Sequence, residues 1–341
     1  MKGVVMKHKI RLVMILVSVV VVWLSGCAKQ KDETTAGQKT IYFIAKASES
    51  EFWQVVMDGG RVAGEDLGVK VITQAPVAES DTDKQISIFN NALLTHPDAI
   101  VVAPVQADSL VASIKKAAGQ GIPVIVIDSA ANTNDYTTFL ASDNLKIGTT
   151  AGQKMADLLK DENGNVSGAV AGITFLSGAA SLEKRRTGFM DEMKKHSDVK
   201  LLAFQDAQGR QGATINIVKN LLTANPDLKG IFANNQPTGE ETVRALEMMN
   251  RKDLAVVVVD SGAEEIRGLR EGYVDYVIAQ RAWPMGYMGV EYAIKAINGE
   301  TMDKFIDTGI VAIDQAMLNS GAADEVLDPV AFNRKKREQQ Q

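Results

Sequence analysis

From Lys39 onward, short runs of β-branched residues alternate with stretches in which apolar positions recur every three or four residues. That alternation predicts strand, helix, strand, helix. Residues 41–45 read as a strand. Residues 52–67 read as a helix with Phe52, Val55, Val56, Gly59, Val62 and Ala63 on one face, stopped at Gly68. A strand at 69–72, a helix at 83–94, a strand at 100–103, a helix at 108–118 capped by Asp108 and a strand at 124–127 continue the series. Val/Ile runs with few polar breaks suit parallel strands covered on both faces.

The second half repeats the design. Strands are predicted near 169–174, 199–204, 231–233, 255–259 and 276–279, and helices near 145–159, 182–193, 212–222, 240–249 and 285–298. Phrases recur at matching places. Pro97-Asp98-Ala99-Ile100-Val101-Val102 has an echo in Pro226-Asp227-Leu228-Lys229-Gly230-Ile231-Phe232. Val124-Ile125-Val126-Ile127-Asp128-Ser129 has a closer one in Val256-Val257-Val258-Val259-Asp260-Ser261. The fold class expected is α/β, with two similar doubly wound parallel-sheet lobes.

In open parallel sheets, ligands bind beyond the carboxyl ends of the strands. Asp128 and Asp260 sit there, each directly after an apolar strand, and so do Lys46, Asn234, Asn235 and Gln280. Phe52 and Trp53 lie close by in sequence to Lys46. Carboxylates and amides exchange hydrogen bonds with hydroxyls, and an aromatic face covers the C–H face of a sugar ring. The set suits a polyol. Each member also has a plainer reading: a strand-end Asp as a turn or cap residue, Phe52 or Trp53 as core, Lys46 as a solvated cation.

The amino terminus adds a location. Lys2, Lys7, Lys9 and Arg11 precede an apolar run at 12–24, which leads into Leu24-Ser25-Gly26-Cys27. A basic region, a short apolar region and small residues make a secretory leader. The last four residues resemble a bacterial lipobox, which makes Cys27 the expected lipidation site. Cys27 is the single cysteine, so no intramolecular disulfide can form. Residues 28–39 are polar and aperiodic and read as a flexible tether. The protein is therefore expected to be exported and held by a lipid on the extracytoplasmic face of a membrane.

Charge and motif content narrow the classes further. A net charge of −5 with interspersed signs argues against nucleic acid as a partner. The basic run Arg334-Lys335-Lys336-Arg337 reads as a frayed, solvated tail. No nucleophile elbow, phosphate-binding loop or metal-spaced histidine cluster is present, since His8, His96 and His196 are scattered. The expectation is a monomer that is not an enzyme and needs no cofactor or metal.

From about Thr40 to Glu300 the chain resembles the ribose-binding-protein family of bacterial sugar-binding proteins, a type I periplasmic binding protein family. The resemblance is carried by Glu51-Phe52-Trp53, Ile122-Pro123-Val124-Ile125-Val126-Ile127-Asp128, Ala141-Ser142-Asp143-Asn144, Arg185-Arg186-Thr187-Gly188-Phe189 and Asn220-Leu221-Leu222-Thr223-Ala224-Asn225-Pro226. It implies that Phe52 and Trp53 match an aromatic pair that sandwiches the sugar, and that Asp128, Arg185, Asn235, Asp260 and Gln280 match polar contacts. Lys46, Ser50, Ser129 and Gly209 depart from the ribose-binding pattern, which points away from ribose itself. Lys46 with Arg185 would suit a ligand bearing an acidic group, unless the two carboxylates balance them.

The resemblance also implies lobes joined by three crossovers, near 141–144, 280–283 and 308–311, with a hinge that closes on ligand. Domains are then expected at 1–27 (leader), 28–39 (tether), 40–142 plus 281–309, 143–280 plus 310–325, and 326–341 (polar tail). The implied function is capture of a small sugar and its delivery to an ABC-type membrane permease. The alternative is a sensor presenting its ligand to a membrane receptor or histidine kinase.

Overall fold

The computed structural model describes residues 37–338. The chain divides by contact between Gly37 and Gln38, and the unit that starts at Gln38 holds every element described below. The expected leader, Cys27 and most of the tether lie outside the described residues. Among the described residues, no helix is long and apolar enough to cross a membrane.

The chain builds two sheets in turn. The first run is β1 (Thr40–Ile44), α1 (Glu51–Asp66), β2 (Lys70–Gln74), α2 (Thr82–Leu94), β3 (Ala99–Val102), α3 (Val111–Gly119), β4 (Val124–Ile127) and β5 (Thr138–Ala141). The second is α4 (Asn144–Leu158), β6 (Ser167–Thr174), α5 (Ala180–Met193), β7 (Asp198–Leu201), β8 (Gln205–Asp206), α6 (Ala213–Ala224), β9 (Leu228–Ala233), α7 (Gln236–Met248), β10 (Ala255–Val259), α8 (Ala263–Glu271) and β11 (Tyr276–Gln280). After α9 (Ala282–Ile297), β12 (Phe305–Asp307) completes the first sheet and β13 (Ile310–Ile313) the second.

Strand order is β2-β1-β3-β4-β5-β12 in one sheet and β7-β6-β9-β10-β11-β13 in the other, with β8 also beside β6. Every pairing is parallel except β13 on β11. The sequence echoes now have places: β3 and β9 are both third in their sheets, and β4 and β10 both fourth.

Period-two alternation explains why these strands are apolar on both sides. Ile41, Phe43, Val101, Ile125, Ile127 and Leu140 pack under α1 and α9. Their neighbours Ile44, Ile100, Val102, Val124, Val126 and Phe139 pack under α2 and α3. The second sheet divides in the same way, with Ile231, Val256, Val258 and Val277 on one face and Phe232, Val257, Val259 and Ile278 on the other.

Each lobe also carries one pair of helices in unusually close contact, α1 with α9 and α4 with α5. Glycines make both approaches. A Cβ on Gly286 would overlap the Val56 carbonyl oxygen, and one on Gly59 that of Trp283. The matching pair is Gly148 under the Arg185 carbonyl and Gly188 under that of Leu145. Gly188 therefore keeps α5, and with it Arg185, pressed against the second lobe.

The chain crosses between lobes after β5, after β11, and between β12 and β13. Two crossings are tied together. Ser142 Oγ donates to the Gly309 carbonyl at 2.8 Å, and the Thr308 amide donates to the Ala141 carbonyl at 3.0 Å.

Several expectations need correction. Asp108 does not cap a helix: α3 starts at Val111 after Leu110, and the Asp108 carboxylate instead accepts from Asn132 Nδ2 at 2.7 Å. The charged helix α8 and the strands β5, β8, β12 and β13 are additions to the expected elements; β8 and β12, of two and three residues, are too short to show periodicity. The segment expected to be a frayed tail is helical. After the short helices α10 (Gln315–Ser320) and α11 (Asp324–Leu327), α12 (Pro329–Glu338) packs against α11 and α1. Proline in first position and an Asp328 carboxylate accepting from the Ala331 amide at 3.0 Å start it.

Gly286→Ala should lower stability by about 1–3 kcal/mol, the usual cost of overpacking a tight core. Denaturant unfolding measures it, and an unchanged midpoint would show that α9 can slide off α1 at no cost.

Candidate functional site

The carboxyl ends of both sheets meet around a cavity of about 20 Å³. Lys46, Ser50, Phe52, Trp53, Asp128, Arg185, Asn235, Asp260 and Gln280 all line it. The structure thus brings these nine together; Asn234, Ser129 and Gly209 do not line the cavity, and Cys27 lies outside the described residues. The cavity has room for about one water, which needs ~10–15 Å³. A ring can enter only if side chains and lobes move apart.

Asp128 and Asp260 follow β4 and β10 and share a rare backbone conformation, with φ of 60° and 79°. Non-glycine residues held there cost on the order of 1–3 kcal/mol and cluster at functional sites. Neighbouring strands hold them: the Asp128 amide donates to the Leu140 carbonyl at 2.9 Å and the Asp260 amide to that of Ile278 at 3.1 Å. The left-handed turn lifts each carboxylate off the end of its sheet into the cleft.

On the first-lobe side, Lys46 Nζ lies 2.6 Å from Asp128 Oδ2 and 2.5 Å from Ser129 Oγ. The Ser129 hydroxyl is also 2.7 Å from Ser181 Oγ of the other lobe. The Lys46 ammonium stands 5.5 Å from the centre of the Trp53 ring. Trp53 is buried in the core and donates its indole N–H to Glu79 Oε1 at 2.7 Å. Phe52 meets Trp53 edge to face, with centroids 5.0 Å apart and planes at 88°. No slot separates the two rings, so they do not form the two sides of a sandwich; they make a corner.

On the second-lobe side, Asp260 Oδ1 accepts from Gln280 Nε2 at 2.7 Å and Oδ2 from the Gln236 amide at 3.0 Å. Arg185 Nη1 is 3.8 Å from Asp260 and 2.9 Å from the Asn234 carbonyl, while its Nε donates to Asn144 Oδ1. Asn235 is the N-cap of α7, its Oδ1 accepting from Thr238. Gln280 Oε1 is buried and has no hydrogen-bond partner among the described residues.

Five lining residues escaped the sequence reading: Glu79, Ser181, Leu182, Gln236 and Pro237. Glu79 sits in the β2–α2 loop and Ser181 in the first turn of α5, where polar residues carry no distinguishing pattern. Pro237 opens α7 beside Gln236. Gln236 also joins the lobes: its Oε1 accepts from Ser50 Oγ and from the Phe52 amide, both at 3.0 Å. Ser50 itself makes no side-chain cap on α1, so the opposite lobe supplies that cap. A further bond across the cleft runs from the Ala263 amide to Glu51 Oε2 at 3.0 Å.

The charges balance in pairs. Lys46 is matched by Asp128 and Arg185 by Asp260, so neither cation is left over for an acidic ligand. Burial raises the pKa of Asp260, opposed by Arg185 beside it. Burial likewise raises Glu79, although the residue as a whole is partly exposed. Behind Gln236, Glu265 is fully buried with neither oxygen hydrogen-bonded among the described residues. Burial, reinforced by Glu240, lifts it well above the carboxylate range.

Beside this site lies a larger cavity of about 380 Å³, walled in part by Val326, Leu327 and Pro329. Phe52, Gln236, Asp260 and Gln280 line both spaces.

Residues 41–301 match a family model described as periplasmic binding protein domain. The ribose import binding protein of Salmonella typhimurium is 26% identical over 261 residues, 76% of this chain and 86% of that protein. The D-allose-binding periplasmic protein of Escherichia coli is 26% identical over 261 residues, 74% and 83%. A carbohydrate transporter solute-binding protein of Agrobacterium radiobacter, solved with D-arabinose, superposes with a TM-score of 0.83 at 34% identity, covering 86% of this chain and 100% of that one. An ABC transporter solute-binding protein of Agrobacterium vitis with bound D-fucose gives 0.80 at 32%, covering 84% and 99%.

The folded protein keeps the Glu265 proton at pH values where the unfolded chain has released it. That contribution to stability is intact below about pH 4.3, the ordinary glutamate value, and is lost as pH rises toward the raised one. Glu265→Gln should therefore raise the melting temperature more at pH 8 than at pH 5. Equal shifts at the two pH values would mean that Glu265 ionises normally in the folded state.

Proposed function

The chain belongs to the periplasmic binding protein family, and on that premise we propose that it captures a small neutral sugar between its lobes for delivery to an ABC-type membrane permease. Its fold is that of the type I members, two α/β lobes joined by three segments. The observation that carries the sugar reading is the Gln280 carbonyl oxygen. It is a buried acceptor without a partner, inside a cavity whose cations are already matched by carboxylates. A hydroxyl supplies the missing donor without adding charge.

Binding proceeds by exchange of hydrogen bonds. As the lobes part, ligand hydroxyls take places that Lys46 now holds on Asp128 and that Arg185 and Gln280 hold on Asp260. The Phe52–Trp53 corner lies against the apolar face of the ring, one ring stacking and the other closing the edge. Ser50, Arg185 and Asn235 complete the polar wall, Asn235 through the amide nitrogen that its capping role leaves over. Closure then re-forms the bonds from Gln236 to Ser50 and Phe52, and the closed face is what the permease reads.

The protein works outside the cytoplasm, as its family does. Lipid attachment at Cys27 is the finer reading, supported by the basic and apolar stretches that precede Leu24-Ser25-Gly26-Cys27.

A panel of pentoses, hexoses, deoxysugars, sugar acids and polyols should contain a neutral sugar that stabilises the soluble domain by about 2.7 kcal/mol at 100 times its dissociation constant. Asp260→Asn, which keeps the side-chain shape, should weaken that sugar at least about tenfold, or ~1.4 kcal/mol, by calorimetry. A sugar acid that outcompetes every neutral sugar would overturn the charge argument. Separately, Cys27→Ser should move the full-length protein from the membrane fraction to the soluble one. Persistent membrane attachment would remove the lipid from the proposal.

A further inference from the structure

The larger cavity beside the central site has the size of a ligand pocket, which typically spans about 300–1,000 Å³. It shares a wall with the central cavity, because Phe52, Gln236, Asp260 and Gln280 line both. A group attached to a sugar held by Asp260 and Gln280 would therefore border the second space at residues that already hold the sugar. The walls are mixed. Val55, Ile266 and Leu327 are apolar, while Glu51 and Arg270 offer an acceptor and donors at the exposed side. One wall comes from the carboxyl-terminal segment at Val326–Pro329, which the packing of α12 on α1 holds in place.

We propose that this cavity is a second subsite, and that the ligand is a glycoside: a sugar in the central site carrying a second ring next door. The inference rests on the sugar reading above and extends it. A ring presents an apolar face to Val55, Ile266 and Phe52 and polar edges to Glu51 and Arg270. A free monosaccharide uses the central cavity alone and leaves these walls in contact with water.

The test compares D-arabinose, D-fucose, D-ribose and D-allose with their methyl and phenyl glycosides, in both anomeric forms, by calorimetry on the mature protein. At least one phenyl glycoside should bind about tenfold tighter than the matching methyl glycoside, ~1.4 kcal/mol, because only the larger group reaches the second cavity. Ile266→Trp and Val55→Trp, which fill that cavity from opposite lobes, should erase this advantage and leave the free sugar's affinity unchanged. Two variants guard against one that fails to fold. Free sugars that bind while every phenyl glycoside binds more weakly would overturn the subsite and leave the sugar reading standing. So would tryptophan variants that weaken free and phenyl forms alike. If no free sugar and no glycoside binds, the sugar reading itself fails and takes the subsite with it.

Discussion

Burying the carboxylate of Asp260 is the constraint around which the cleft is organised. A buried charge is tolerated only when its oxygens are hydrogen-bonded and a counter-charge stands near. Three elements meet that demand together: the end of β11 through Gln280, the start of α7 through the Gln236 amide, and α5 through Arg185. Gly148 and Gly188 let α4 and α5 touch, and α5 carries Arg185. Asp128 sits at the equivalent strand end with the same backbone turn, and Lys46 answers it. The two lobes thus present one device twice, facing each other, with the cations differing.

The contact between lobes is as much about backbone as about side chains. Helix α1 begins without a cap of its own, and its Phe52 amide bonds to Gln236 of the opposite lobe. Caps of this kind are worth about 1 kcal/mol. Separating the lobes hands that amide back to water, so the geometry of the cleft and the integrity of the first turn of α1 are coupled. Gln236 is joined through its own amide to Asp260, so the group proposed to hold ligand and the group that closes the lobes are one residue-to-residue bond apart.

Much of this was legible in the sequence, and the reason differs from residue to residue. Asp128 and Asp260 were found because apolar strands stop abruptly in front of them and because the phrase recurs. Both then proved to share an unusual φ that no pattern announces. Trp53 was readable as core or ligand contact, and it lines the cavity while most of its ring is core. Glu79 and Gln236 were invisible, since a loop glutamate and a glutamine next to a proline look alike wherever they point. The helix Pro329–Glu338 was read as a tail because its residues are largely polar, and only its packing on α1 gives it a place. The two residues of β8 and the three of β12 are too few to show any alternation.

The crossing pattern also bears on the order in which the molecule can assemble. Helix α1 packs on α9, more than two hundred positions later in the chain, and the first sheet lacks its edge strand until β12 has been made. The second lobe, by contrast, draws nearly all of its strands from one continuous stretch, lacking only β13. A chain emerging from its amino terminus can therefore complete neither sheet until the segment after α9 arrives. Contacts this distant in sequence slow folding. A chain of this topology therefore stays unfolded until almost all of it has been made.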